Sequence, residues 1–146
     1  MATFSRNVTV NWEGSIMEGK GTAKAGSGAF NLPVSFPRRI GDAEGVTSPE
    51  ELMAAAHAAC FAMALNATVG RKGGAAAKTD VTATVTADKG EAGIKILSSK
   101  LTVVAHGLTG ITKEDFPAVA AEAESKCPVS NAYRGSLTIE LDAKAV

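Results

Sequence analysis

Apolar and polar residues alternate along the first forty residues, which is the pattern of half-buried β-strands. Residues 7–12 and 29–36 each place their large apolar side chains on one face, and glycines divide the stretch between them into short segments. Pro33 has no amide hydrogen to give to a neighbouring strand, so its strand is predicted to lie at a sheet edge. These segments predict a meander of short strands, followed by a polar loop over 37–46.

One long apolar helix is predicted over residues 48–70. It opens with Ser48 as a capping hydroxyl, Pro49 at the first helical position and Glu51 where an acid completes a capping box. It is predicted to end near Gly70, where glycines and basic residues form a C-terminal signature. The helix is apolar almost all round, so burial on most sides is expected. Its alanines also leave room for close approach by another backbone, including the same helix of a second subunit.

The second half of the chain returns to strand patterns and then to helices. Residues 79–88 and 94–105 alternate and predict a hairpin that turns near residues 89–93. Three further elements are predicted, namely a helix from Thr112 to about residue 125, a short helix over 128–133 and a strand over 136–142. The order of elements predicts an α+β fold, with helices on one face of a mainly antiparallel sheet.

Length and charge narrow the classes of function. The 146 residues fit a single domain, so 1–146 is interpreted as one domain. Lys and Arg number 15, as do Asp and Glu, and this zero net charge argues against a nucleic-acid partner and against attachment to an anionic membrane. No signal-peptide pattern opens the chain, and the longest apolar stretch, residues 52–65, is shorter than the roughly 20 residues that span a bilayer. A cytoplasmic protein is expected.

Two cysteines, Cys60 and Cys127, are the candidate reactive groups. They are too far apart for a local CxxC motif, and a reducing compartment disfavours a permanent bridge, so two unrelated buried thiols are one interpretation. Cys60 lies in the middle of the apolar helix, where burial raises a thiol pKa and makes the thiol inert. Reactivity there requires a cation. His57, Arg38 and Arg39 are the candidates, and arginine is better suited because it stays charged.

Cys127 has a different setting, because it directly precedes a predicted helix. Amide hydrogens and the helix dipole at that end favour a thiolate, and Lys126 adds a positive charge. Cys127 is therefore a competent thiol, with a packed junction residue as the alternative. Three other kinds of protein stay open at this point: a zinc protein that uses both cysteines with His57 and His106, a cysteine–histidine hydrolase, and a non-enzymatic redox sensor or stress-related binding protein.

The segments around the cysteines resemble a known family. TSPEELMAAAHAACFAMAL over 47–65 and KCPVS over 126–130 are similar to the OsmC/Ohr family of bacterial hydroperoxide reductases, and NWEGSIMEGKGTA over 11–23 resembles the osmotically inducible OsmC branch. The resemblance extends over essentially the whole chain. It implies an OsmC-like fold, in which a mainly antiparallel sheet packs on a long central helix and two chains form an intertwined homodimer.

The resemblance also implies roles for individual residues. It implies a thiol-dependent peroxidase that reduces organic hydroperoxides, with Cys60 as the peroxidatic and Cys127 as the resolving cysteine. Arg39, from the pattern F-x-x-R, and Glu50, directly after a proline, are expected to assist, and Arg38 is the alternative arginine. A dithiol, which is a lipoyl group in the Ohr branch, is expected to restore the thiols. No metal or other cofactor is expected.

Helix geometry adds two expectations. A disulfide between Cys60 and Cys127 needs Cα atoms about 4.4–6.8 Å apart, so the 127–128 junction must pack against the middle of the long helix. Glu50 and Cys60 are ten positions apart, which is about 15 Å along a helix axis, so one arginine cannot contact both in one chain. The resulting hypothesis is that the partner subunit supplies this glutamate.

An apolar pocket at Cys60 is expected to include Phe36, Met53 and Phe61.

Overall fold

The computed structural model describes residues 2–146, and the chain divides into two compact units, of which the first ends at Pro49 and the second runs over Glu50–Val146. The first unit contains three strands and a short helix: β1 (Val8–Glu13), β2 (Lys20–Ala25), β3 (Asn31–Val34) and α1 (Phe36–Ile40). The strands form an antiparallel sheet in the order β1-β2-β3, with Thr22 of β2 opposite Pro33 of β3. β3 is therefore at an edge of this sheet, as Pro33 predicted.

The short helix α1 lies in the segment for which we predicted a loop over 37–46. Ser35 precedes it in an extended conformation, with φ −153° and ψ 153°, and Pro37 sits in its first turn, where a fixed φ fits a helix and an amide hydrogen would lack a helical partner. The Gly41 amide closes the helix by donating to the Pro37 carbonyl at 3.0 Å. The loop prediction was wrong here because the polar composition concealed the helix, and β3 ends two residues earlier than predicted.

The second unit is built on α2, which covers Pro49–Arg71 and matches the predicted helix to within one residue. After it come two strands, two helices and a last strand: β4 (Lys78–Gly90), β5 (Gly93–His106), α3 (Phe116–Lys126), α4 (Pro128–Tyr133) and β6 (Thr138–Ala145). The bounds of α4 are those we predicted. α3 begins four residues later than predicted, because the Thr112 hydroxyl donates to the Asp115 carboxylate at 2.8 Å in a turn that precedes the helix.

β4, β5 and β6 form the second sheet, in that order. β4 and β5 are an antiparallel hairpin in which Gly90 faces Gly93, so the chain turns where we predicted. β6 runs parallel to β5, with Leu101 opposite Leu141, because α3 and α4 form a crossover that carries the chain back along the sheet. The other pairings in the two sheets are antiparallel, so the mainly antiparallel character that we predicted is confirmed.

The core of the second unit lies between α2, β5 and α3. Phe61, Leu65 and Val69 recur every four residues along α2 and are almost fully buried. They pack with apolar side chains of β5 and α3, which are Leu101, Val103, Ala105, Phe116, Val119, Ala120 and Ala123. This packing confirms the predicted α+β class, and it determines which face of α2 points inward.

The opposite face of α2 is exposed in the single chain, so one chain alone does not provide the burial on most sides that we expected. Ala55, Ala59 and Ala67 are exposed, and Met63 is 73% exposed. By length and composition, the 23-residue helix α2 is long and apolar enough to cross a membrane, which the stretch over 52–65 had not indicated. Its inward face packs in the protein core instead.

Candidate active site

Two elements of the second unit bring the cysteines together. Cys60 is half-buried in the middle of α2, and Cys127 is fully buried between the end of α3 and the start of α4. Cys60 packs against the core cluster that contains Cys127, and the two free thiols are hydrogen-bonded to each other. The 127–128 junction therefore packs against the middle of the long helix, as a disulfide between these residues would require.

The start of α4 supplies amide hydrogens to both sulfurs. Pro128 takes the first helical position, where a missing amide hydrogen costs nothing. The Val129 amide donates to the Cys60 sulfur, and the Ser130 amide donates to Cys127 Sγ at 3.5 Å. Neighbouring amides of one helical turn thus favour negative charge on either sulfur.

Burial nevertheless raises the pKa of the Cys60 thiol above its usual range. The Val129 amide lowers this pKa but does not cancel the shift, and the Cys127 thiol raises it further through its hydrogen bond and its charge. Within the second unit, Cys60 is therefore mainly protonated near neutral pH. A peroxidatic role still requires a nearby positive charge, as we expected from the position of this cysteine in an apolar helix.

His57 does not supply that charge. Its ring is fully buried, with Nδ1 2.6 Å from Ser99 Oγ and Nε2 2.7 Å from Ser130 Oγ. Burial lowers the pKa of His57; the charge of Glu124 opposes this shift, and that of Arg134 adds to it. The ring is therefore neutral at pH 7. Our suggestion that His57 acts as the cation beside Cys60 was wrong, because the ring is buried and neutral.

The two histidines also give no support to a zinc site. Both ring nitrogens of His57 contact serine hydroxyls, and His106 Nε2 lies 2.9 Å from Asp80 Oδ2 where β4 and β5 pair. Across residues 2–146, no group of three or more His, Cys, Asp and Glu side chains is placed to hold a metal ion. The described part of the chain therefore has no donor set for the zinc alternative.

The two candidate arginines lie next to each other in α1, in the first unit. The Arg38 guanidinium forms an ion pair with Glu44 at 2.7 Å and donates to the Asp42 carbonyl at 3.2 Å. These contacts hold Arg38 against the loop that follows α1. The choice of Arg39 over Arg38, made from the F-x-x-R pattern, stays a prediction.

Glu50 lies in the first turn of α2, whereas Cys60 lies near the middle of the same helix. α2 is continuous, so the two residues are separated by about 15 Å along its axis. A single chain therefore does not bring Glu50 beside Cys60. In its own chain the Glu50 carboxylate occupies the helix end where an acid stabilises the dipole.

A cavity of about 540 Å³ opens beside Cys60. Its walls combine apolar and basic side chains, namely Met63, Ala64, Ala67, Arg71, Lys126 and Pro128. The expected lining was partly wrong, since Phe61 is fully buried in the core and Met53 does not line this cavity. Met63 and Arg71 follow Cys60 at helical spacings of three and eleven positions, which is the signal that identifies them once one face of α2 is known to be exposed.

One thiol lies in a long helix, the other lies at the start of a short helix, and an α+β scaffold carries both. Two adjacent thiols in this setting are the arrangement of a dithiol redox protein. A family model described as OsmC-like protein matches residues 41–142, which include both cysteines. The chain belongs to the OsmC-like protein family, which confirms the resemblance seen in its sequence.

Relatives of this family match almost the whole chain. The protein named peroxiredoxin OsmC from Escherichia coli (strain K12) is 37% identical over 98% of this chain and 99% of its own length. The organic hydroperoxide resistance protein of Xanthomonas axonopodis pv. citri is 31% identical over 84% of each chain. The crystal structure of an organic hydroperoxide resistance protein OsmC from Legionella pneumophila matches with a TM-score of 0.76 at 27% identity, over 99% of both chains.

Proposed function

We propose that this protein is a thiol-dependent peroxidase that reduces organic hydroperoxides to alcohols. The observation that carries the proposal is the contact between Cys60 and Cys127, with neighbouring amides of α4 directed at both sulfurs. Membership of the OsmC-like family and similarity over nearly the full length to a protein named peroxiredoxin OsmC support it. Relatives named organic hydroperoxide resistance proteins support organic hydroperoxides as the substrates.

Thiol chemistry supplies two half-reactions. The Cys60 thiolate attacks the terminal oxygen of ROOH, the O–O bond breaks, and the alkoxide leaves and takes a proton, so that Cys60 becomes a sulfenic acid. The Cys127 thiolate then attacks the sulfenic sulfur, an S–S bond forms, and the hydroxyl group leaves with a proton as water. An external dithiol reduces this bond by exchange and becomes a disulfide itself. A lipoyl protein is the proposed reductant, by likeness to the Ohr branch.

Arg39 is the proposed source of positive charge at Cys60. Within the second unit the pKa of Cys60 is raised, so the thiolate needs a cation from elsewhere. Arginine stays charged at every physiological pH, and its fork can hold a thiolate and a carboxylate together. Glu50 of the partner subunit is the proposed carboxylate, because Glu50 of the same chain is about 15 Å away along α2.

The exposed face of α2 supports a homodimer that completes the site in this way. This α2 stripe consists of small residues and one methionine, namely Ala55, Ala56, Ala59, Met63 and Ala67. Two antiparallel α2 helices that cross near Ala55 would place Glu50 of the partner subunit opposite Cys60. Val8 and Val10 on β1 are also about half exposed, which fits an intertwined dimer with a second apolar contact.

The cavity beside Cys60 favours an organic peroxide over hydrogen peroxide. Its apolar side chains gain free energy when they remove an alkyl group from water, and hydrogen peroxide has no such group. The proposed setting is the cytoplasm, where reduced thiols persist. The proposed organisation is one domain over 1–146, to which the matched relatives correspond over nearly their full length.

One equivalent of tert-butyl hydroperoxide added to the reduced protein tests the function. Wild type should lose two thiols per chain, and Cys60→Ser should consume no peroxide. Cys127→Ser should accumulate a sulfenic acid on Cys60, which dimedone traps for mass spectrometry. Continuous consumption of peroxide with dihydrolipoamide separates a peroxidase from a redox sensor, which is oxidised once without turnover. Wild type that retains both thiols would contradict the proposal.

A further inference from the structure

His57 connects three elements around the paired thiols. The histidine is on α2, and its ring nitrogens contact Ser99 on β5 and Ser130 on α4 at 2.6 and 2.7 Å. All three side chains are fully buried. In a dry interior such hydrogen bonds are stronger than in water, and breaking one leaves an unsatisfied polar group. The contact is therefore a fixed geometric link between the long helix, the sheet and the short helix.

The contacts of Ser130 and its neighbour connect this link to the two thiols. Ser130 holds His57 with its hydroxyl, and its own amide donates to Cys127 Sγ at 3.5 Å. The preceding amide, of Val129, donates to the Cys60 sulfur. His57 also lies one helical turn before Cys60 on α2. The ring thus determines where the first turn of α4 stands relative to the peroxidatic cysteine, and with it where the Cys127 sulfur stands.

His57 is not placed to act as the acid or base of the reaction. Both ring nitrogens are engaged by serine oxygens, and neither contacts a sulfur. A neutral imidazole donates from one nitrogen and accepts at the other, so it satisfies one serine as donor and the other as acceptor. Its contribution is therefore orientation of α4, not proton transfer.

We propose that His57 is a positioning residue for the second half-reaction, in which Cys127 attacks the Cys60 sulfenic acid. The inference rests on the proposed peroxidase function. Disulfide formation requires a narrow range of Cα separations and a C–S–S–C dihedral near 90° in magnitude, so small movements of α4 reduce its rate. The first half-reaction involves peroxide and Cys60. It depends on α4 only through the Val129 amide that donates to the Cys60 sulfur, and it needs no defined separation of the two sulfurs. Loss of the His57 link should therefore slow resolution far more than peroxide attack.

The test uses single-turnover kinetics with tert-butyl hydroperoxide on wild type, His57→Phe and Ser130→Ala. Phenylalanine keeps an aromatic ring of similar volume but removes both hydrogen bonds, whereas Ser130→Ala removes one hydroxyl and leaves the ring. In both variants, peroxide consumption in the first turnover should stay within about threefold of wild type, while disulfide formation slows about tenfold or more. Dimedone should trap a sulfenic acid that wild type converts too fast to capture. His57→Gln, which can still donate and accept, should recover part of the rate.

Val69→Ala is the matched control, because it destabilises the same helix and core at a position nine residues beyond Cys60 and twelve beyond His57. It should lower the melting temperature and leave the ratio of the rate of peroxide consumption to the rate of disulfide formation unchanged. The double variant His57→Phe/Ser130→Ala should resolve no more slowly than the slower single variant, since both changes remove the same bond.

Three outcomes would overturn the inference. They are equal slowing of both half-reactions in His57→Phe and Ser130→Ala, an unchanged rate of disulfide formation, and the same change of ratio in Val69→Ala. If His57→Phe does not fold, Ser130→Ala decides alone, because it leaves the histidine in place. Wild type that forms no disulfide at all would instead contradict the proposed function, so the two failures are distinguishable.

Discussion

Cys60 and Cys127 are hydrogen-bonded to each other although they come from the middle of one helix and the start of another. The short helix α4 makes this contact chemically useful, because its first amides are directed at both sulfurs. The same proximity adds to the rise in the pKa of Cys60 that burial causes, because Cys127 raises it further through its hydrogen bond and its charge.

Replacing Cys127 with alanine is therefore expected to lower the pKa of Cys60. The substitution removes the hydrogen bond and the charge that raise this pKa, while the Val129 amide still lowers it. The rate of alkylation of Cys60 by iodoacetamide, followed against pH, should reach its half-maximum at a lower pH than in wild type. Cys60→Ala supplies the baseline for Cys127. A Cys60 pKa that is unchanged or higher in Cys127→Ala would contradict the coupling.

Arg39→Ala is expected to reduce kcat/KM for tert-butyl hydroperoxide by about 10²–10³-fold, which is the loss that follows removal of one donor that stabilises charge developing in a transition state. Arg38→Ala is the matched control, since Arg38 is engaged with Glu44 and the Asp42 carbonyl. It should stay within a few-fold of wild type. The pH dependence of alkylation should shift upward in Arg39→Ala only. A larger loss in Arg38→Ala would reverse the assignment.

The element bounds that were predictable are those marked by local chemistry. Ser48 and Pro49 mark the start of α2, and Pro128 marks the start of α4, because a proline at the first helical position needs no neighbour distant in sequence. α1 carries the same proline signal but is short and polar, and its composition concealed it. The parallel direction of β6 depends on where α3 and α4 return the chain, which no local pattern records.

The features of the candidate site also divide into those that local sequence could indicate and those that depend on contacts between distant parts of the chain. Cys60 and Cys127 were identifiable as thiols of interest from their positions, but their contact joins residues from distant parts of the chain. The burial of His57 was predictable, whereas its partners, Ser99 and Ser130, lie 42 and 73 positions away and have no distinguishing pattern. The exposure of Met63 was not predictable, because a helix that is apolar on all sides does not reveal which face the sheet covers.

Stability should fall as the pH is lowered below about 6.5, the value for an unperturbed histidine. Burial lowers the pKa of His57 in the folded state, so as pH falls the unfolded chain takes up this proton first and is favoured. Urea unfolding at pH 7.5, 6.5 and 5.5 measures the free energy of unfolding, and the slope below pH 6.5 should be smaller in His57→Phe. Asp80 and Glu122 take up protons only in more acidic solution, because their hydrogen bonds to basic side chains lower their pKa values. The pKa of Glu122 is about 2. An equal slope in wild type and His57→Phe would refute the assignment of this pH dependence to His57.

Ala59→Glu on the α2 stripe is expected to produce a monomer without peroxidase activity. Ala59 is exposed in the single chain, so a glutamate there is tolerated by a monomer but places a charge in the proposed apolar contact between two helices. Ala92→Glu, in the turn of the β4–β5 hairpin, is the matched control and should remain a dimer. Light scattering after size exclusion reports the mass of each. A dimeric, active Ala59→Glu would exclude this face as the interface.

The two subunits are expected to complement each other when each lacks a different part of the site. Cys60→Ser and Glu50→Gln should both be inactive or strongly impaired alone. In a dimer that contains one chain of each kind, the intact Cys60 belongs to the Glu50→Gln chain and can use Glu50 of the partner subunit. Random mixing by co-refolding makes about half of the dimers mixed, with one complete site each, so about a quarter of wild-type activity should return. If the glutamate acts within its own chain, every intact Cys60 of a mixed dimer faces a glutamine, and no activity returns. The mixture therefore decides between the two arrangements without a structure of the dimer.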